Sequence, residues 1–147
     1  GSGSDTIILR VGDGGSTLAA ADTITDFTDG TDVLGLDDGL KYTDLTITQS
    51  GNDTVITKGS EYLAILEGIS ASNVNYMDFA SMATDDQSFT GTTGDDVFLG
   101  AAGSDTVTTN TAWSMNITLM HFTRLKTFIF PVDCITFALT IPSSYIS

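Results

Sequence analysis

The chain has 147 residues, enough for one domain or for one domain with an appendage, and 41% of them are apolar, enough to build a core. Nineteen acids face five Lys and Arg, giving a formal charge of −14, which excludes the classes of protein that hold nucleic acid or anionic membranes through basic residues. Only Glu61 and Glu67 among the acids are Glu; the rest are Asp, a bias that disfavours helices and suits turns and oxygen-ligand metal sites.

The chain opens with Gly3-Ser4-Asp5-Thr6-Ile7, in which glycine, aspartate and an apolar residue fall at alternate positions. Each residue type has a physical reason. Glycine adopts positive φ without steric cost, so a turn can wrap its backbone around a cation. Aspartate supplies a carboxylate, the hard oxygen ligand of which Ca²⁺ takes six to eight with turn carbonyls. The apolar residue two places on starts a strand and points inward. A looser copy spans residues 12–18, with Ser16 where Asp is expected, and Ala21-Asp22-Thr23-Ile24 restores the Asp-x-apolar step. Asp13, Asp22 and Asp26 add carboxylates nearby, and Asp26, Asp29 and Asp32 flank a turn at Gly30.

Residues 37–90 read as a β-meander. Leu45, Ile47 and Gln49 alternate with Thr46 and Thr48; Val55 and Thr57 alternate with Thr54, Ile56 and Lys58; residues 62–66 form a third strand. Turn residues 50–53 and Gly59-Ser60 separate them, the pattern of antiparallel hairpins. Residues 70–82, with Asn73, Tyr76, Asp78 and Phe79, hold one short helix or a turn and show no catalytic logic.

Residues 91–108, GTTGDDVFLGAAGSDTVT, are two nine-residue units in tandem. Glycine stands at positions one and four, Asp at six and an apolar residue at eight: Gly91, Gly94, Asp96 and Phe98, then Gly100, Gly103, Asp105 and Val107. The motif resembles the RTX (hemolysin-type) calcium-binding repeat, G-G-x-G-x-D-x-U-x, with Thr92 and Ala101 replacing glycine at the second position. The resemblance implies an all-β fold in which such turns stack into a parallel β-roll, with Ca²⁺ between successive turns, combined with the antiparallel meander or sandwich. Two units make about one coil, so neighbouring coils complete the half-sites. The same family often closes its rolls with a segment like residues 22–36, DTITDFTDGTDVLGL, where Ile24, Phe27, Val33, Leu34 and Leu36 would cover the open end of the apolar stack. The chain then divides into a partial roll with its closing motif over 1–36, the meander over 37–90, two repeats over 91–109 and an apolar tail over 110–147. The resemblance assigns the metal to Gly3, Asp5, Asp13, Asp22, Asp26, Asp29, Asp32, Gly91, Gly94, Asp96, Gly100, Gly103 and Asp105.

Past Asn110 the composition changes: Asp133 is the one acid left, while Trp113, His121, Arg124, Lys126 and Cys134 all fall there. Ile135, Phe137, Leu139 and Ile141 alternate with Thr136, Ala138 and Thr140, a strand with one apolar face. Capping strands, a C-terminal signal for type I export, and a donor strand that completes a neighbour's sheet all fit. The longest apolar stretch, residues 127–141, is broken by Pro131 and Asp133 and falls short of the about 20 residues a spanning helix needs.

No catalytic constellation emerges. His121 stands alone, Cys134 lies within an apolar run that suits a buried small side chain, and H-E-x-x-H and G-x-S-x-G do not occur. The expectation is a secreted, non-enzymatic, calcium-stabilised β module of an extracellular filament, surface coat or adhesin. Gly3-Ser4-Asp5-Thr6-Ile7 recurs a hundred residues on as Gly103-Ser104-Asp105-Thr106-Val107, which suits self-association by head-to-tail stacking of roll ends; exchange of the C-terminal strand is the other route. The alternative is a calcium-dependent export and folding appendage at the end of a larger secreted enzyme or toxin. A third reading, glycan binding by Tyr42, Tyr62 and Tyr76, competes with ordinary packing of those rings.

Overall fold

Strands of 3 to 6 residues separated by Gly, Asp and Asn turns dominate, as a chain rich in β-branched residues and short of Glu and Lys dictates. The structure, a computed structural model, describes residues 1–92, 96–100, 102, 104–108, 115–120, 125–129 and 137–140, the last three ranges as backbone. Two compact units divide the chain, Gly1–Ala80 and Ser81–Ser147. Among the described residues both are all-β, with short 3-10 turns in the first as the helical content.

The first unit contains β1 (Thr6–Leu9), β2 (Asp22–Ile24), β3 (Val33–Leu36), β4 (Leu45–Ser50), β5 (Asp53–Lys58), β6 (Glu61–Leu66) and β7 (Phe79–Ser81). Strands β1, β3 and β7 form one sheet, in which β1 and β3 run parallel. The other has the order β2-β6-β5-β4; β2 is parallel to β6, and the remaining pairs are antiparallel. The path therefore crosses from the first sheet to the second and back before the hairpins β4–β6 are laid down.

Both hairpins follow their alternation and turn chemistry. Gly51 and Gly59 open two-residue turns at φ of +63° and +59°, the sign that keeps hairpin strands in register with their twist. A bulge at Ile56/Thr57 adds one residue to β6. Leu63 and Ala64 are consequently buried side by side, where strict alternation would expose one of them. On the edge strand β4 the pattern is plain, with Leu45 and Ile47 half-buried and their neighbours exposed.

Leu34, Ile56, Leu66 and Phe79 are fully buried, and Leu9, Leu36 and Leu63 nearly so. Each such side chain contributes about 1.5–3 kcal/mol relative to exposure, so this unit carries a core of its own. Of the residues expected to cover an apolar stack, Ile24, Phe27, Leu34 and Leu36 are buried and Val33 is half-buried. The expected short helix or turn after residue 70 is a 3-10 turn, Tyr76–Asp78, leading into β7.

The second unit contains β8 (Ser88–Thr90), β9 (Asp96–Leu99), β10 (Asp105–Thr108), β11 (Met115–Met120), β12 (Leu125–Ile129) and β13 (Phe137–Thr140). Successive strands alternate between two sheets, β8-β10-β12 and β9-β11-β13, and every pairing is parallel. Val107, at position eight of its repeat, pairs with Phe89, and the rings of Phe89 and Phe98 stack at 4.9 Å. The apolar tail contributes β11, β12 and β13; Trp113, His121, Asp133 and Cys134 lie outside the described residues.

Candidate metal centre

Asp5, Asp32, Asp96 and Asp105 each stand at the entry to a strand, and the backbone fixes what each can do. Gly3 and Gly30, two residues before Asp5 and Asp32, take φ of +127° and +72°. The Asp32 carboxylate reaches across to the chain entering β1, whereas that of Asp5 stays exposed. The N–H of Asp5 donates to Asp32 Oδ1 at 2.9 Å, and the N–H of Val33 donates to the Asp5 carbonyl at 2.9 Å. The N–H of Thr28, four residues back, donates to Asp32 Oδ2 at 2.8 Å. Asp32 is 4% exposed, and these two backbone donors, led by Asp5, hold its carboxyl below the usual carboxylate range.

Asp105 repeats the first half of this arrangement. The N–H of Gln87 donates to Asp105 Oδ1 at 2.9 Å, and the N–H of Thr106 donates to the Gln87 carbonyl at 2.8 Å. Asp105 is 0% exposed, yet its Oδ2 has no hydrogen-bond partner among the described residues. An unpaired buried carboxylate oxygen costs several times what an ordinary hydrogen bond contributes, so it calls for a partner. Beside it the N–H of Ser104 donates to Asp86 Oδ1 at 2.7 Å. Asp96 closes on its own turn instead: the Thr92 N–H and hydroxyl donate to its two oxygens, each at 2.9 Å.

The remaining expected ligands are dispersed. Asp5, Asp13, Asp22, Asp26 and Asp29 are exposed. Asp5 and Asp26 both approach the Gly1 nitrogen. Gly91 donates its N–H to the Thr108 carbonyl at 2.8 Å and, like Gly100, is buried. Gly94 and Gly103 lie outside the described residues. Among the described residues no three His, Cys, Asp or Glu side chains converge as a ready-made metal cluster.

Three residues escaped the sequence reading. Gln87 lies 18 residues before Asp105, two repeat lengths, so it occupies position six of a unit whose position eight is Phe89. Met82 and Asp85 stand where that unit's glycines belong, which hid it. Asp78, 2% exposed, accepts from Asn75 N–H at 2.8 Å, and the Asp29 carboxyl is close enough to act on it. Burial raises its pKa first, and Asp29 raises it further. Burial likewise pushes the Tyr42 hydroxyl up, with Asp78 adding to it. Glu61 accepts from the N–H groups of Gly12 and Gly14, at 2.6 and 3.3 Å, and so pins the glycine-rich loop onto β6.

No family model matches the chain, and neither a curated protein nor a solved structure matches it.

Proposed function

We propose that the chain is a secreted, non-enzymatic, calcium-stabilised β module that serves as a structural or adhesive unit of an extracellular filament, coat or adhesin. The observation that carries this reading is the buried, unpartnered Oδ2 of Asp105 at the mouth of a parallel ladder. A hard divalent cation is the partner such an oxygen suits, because it is buried and no hydrogen-bond donor reaches it among the described residues. Asp105, neighbouring turn carbonyls and Asp86 are the groups that would hold it. When bound, the cation neutralises carboxylates that otherwise repel across a chain of charge −14. The parallel pairing of alternating strands supports a roll-like winding, and a winding of that kind ends in edge strands able to receive a further copy.

Calcium titration with circular dichroism and light scattering on one sample tests the reading. Calcium should sharpen the β signal, and scattering should rise in the same concentration range. If melting is the same in excess chelator as in calcium, the metal role fails. If the fold sharpens without any rise in scattering, the filament role fails and the appendage alternative takes its place.

A further inference from the structure

Asp32 and Asp105 hold equivalent places, one in each unit, and the difference between them decides where calcium acts. In each case the carboxylate takes the N–H of the residue just before the neighbouring strand, while the next residue's N–H goes to that same residue's carbonyl. The pairs of distances agree within 0.1 Å, at 2.9 and 2.9 Å around Asp32 and at 2.9 and 2.8 Å around Asp105. Both carboxylates are buried. They part at the second oxygen. Asp32 Oδ2 receives the Thr28 N–H, whereas Asp105 Oδ2 receives nothing among the described residues.

We propose that the two units divide the labour: the first is closed by its own backbone and folds without metal, while the second is the calcium-switched part of the chain. The inference rests on the calcium reading above and specifies its regulation. Asp32 acts as a carboxylate staple in which the Thr28 N–H takes the place a cation would have. A cation there would have to displace two charge-assisted hydrogen bonds, each stronger than a neutral one. At Asp105 it displaces none from Oδ2. Seven large side chains of the first unit are at most 2% exposed, so its stability does not hang on one carboxylate.

Hydrogen exchange of the full chain, read by mass spectrometry in calcium chloride and in chelator, separates the possibilities. Amides of Gln87, Gly91 and Thr106 should exchange about a hundredfold more slowly when calcium is a hundred times its dissociation constant. Amides of Asp5, Thr28 and Val33 should exchange at one rate in both solutions. Asp105→Asn should abolish the calcium response of the second unit, and Asp32→Asn should speed exchange in the first unit equally with and without calcium. Slowing of the first unit's amides by the same factor as the second's would overturn the division of labour while leaving the calcium reading intact. An absence of response in both units would overturn the calcium reading, and this inference with it.

Discussion

The two units share one sequence step, glycine-x-aspartate at the entry to a strand, and differ in how the described residues satisfy the aspartate. Around Asp32 the chain satisfies a buried carboxylate with two of its own N–H groups. Around Asp105 it satisfies one oxygen, and the other has no partner among the described residues. A sequence motif thus specifies where a carboxylate is delivered, and the loop leading into it specifies what that carboxylate meets. Charge density alone does not make a residue a ligand: Asp32 lies in the more acidic half of the chain and is the better satisfied of the two.

The largest effect should come from the cores. Leu34→Ala removes a fully buried side chain from the first unit and should lower its stability by about 3–4 kcal/mol. Val107→Ala does the same to the second unit and should cost about 2 kcal/mol there. Denaturant melts followed by unit-resolved exchange should show each change confined to its own unit. Equal loss in both would mean that they fold as one, and the contrast drawn above would dissolve.

Next in size is the glycine loop. A Cβ on Gly14 would lie 1.8 Å from the Tyr62 carbonyl oxygen, so Gly14→Ala must push the loop off β6. The cost should be about 2 kcal/mol in Tm-derived stability, the same in chelator and in calcium. A smaller loss is expected at the tight turn after β3. Asp38 and Gly39 both take positive φ there, +51° and +75°, and the Leu40 N–H closes the turn onto the Asp37 carbonyl at 3.0 Å. Gly39→Ala should therefore cost about 1 kcal/mol, measurable by urea denaturation.

The smallest effect is one of slope, and it sharpens the comparison within the first unit. Asp32 has a lowered pKa, so its contribution is present above the ordinary 3.8 and is lost as pH falls through its folded value. Asp78 has a raised pKa, so its contribution is present below 3.8 and is lost as pH rises through its folded value. Asp78→Asn should flatten the stability profile on the side above 3.8, and Asp32→Asn should flatten it on the side below. Thermal melts across that range decide it. A profile above 3.8 that keeps its slope in Asp78→Asn would remove the paired carboxyls from the account.

What could be read from the sequence was local. Gly3-x-Asp5-x-Ile7 and the alternation at Leu45 and Ile47 gave a strand entry and an edge strand, because steric rules act over two residues. The same logic held for Gly51 and Gly59. Gln87 was missed because its repeat keeps the positions that face a neighbour and has lost the glycines that announce it. Asp78 was missed for a different reason. Its environment is made with Asp29, 49 residues earlier, and no short window contains both. The choice between a ligand and a staple at Asp32 was equally invisible, since it turns on whether one amide four residues back faces inward.

After β3 the chain leaves the first sheet to lay down β4–β6 in the second, and β7 then rejoins β3. Within it β6 is tied back to β2 and to the loop at Gly15, whereas β4 lies at the edge of the sheet and its turn into β5 can change in length without touching that tie. The exposed tip at Gly51-Asn52 is accordingly where a foreign peptide could be spliced in and carried outward, turning a plain building block into a display platform.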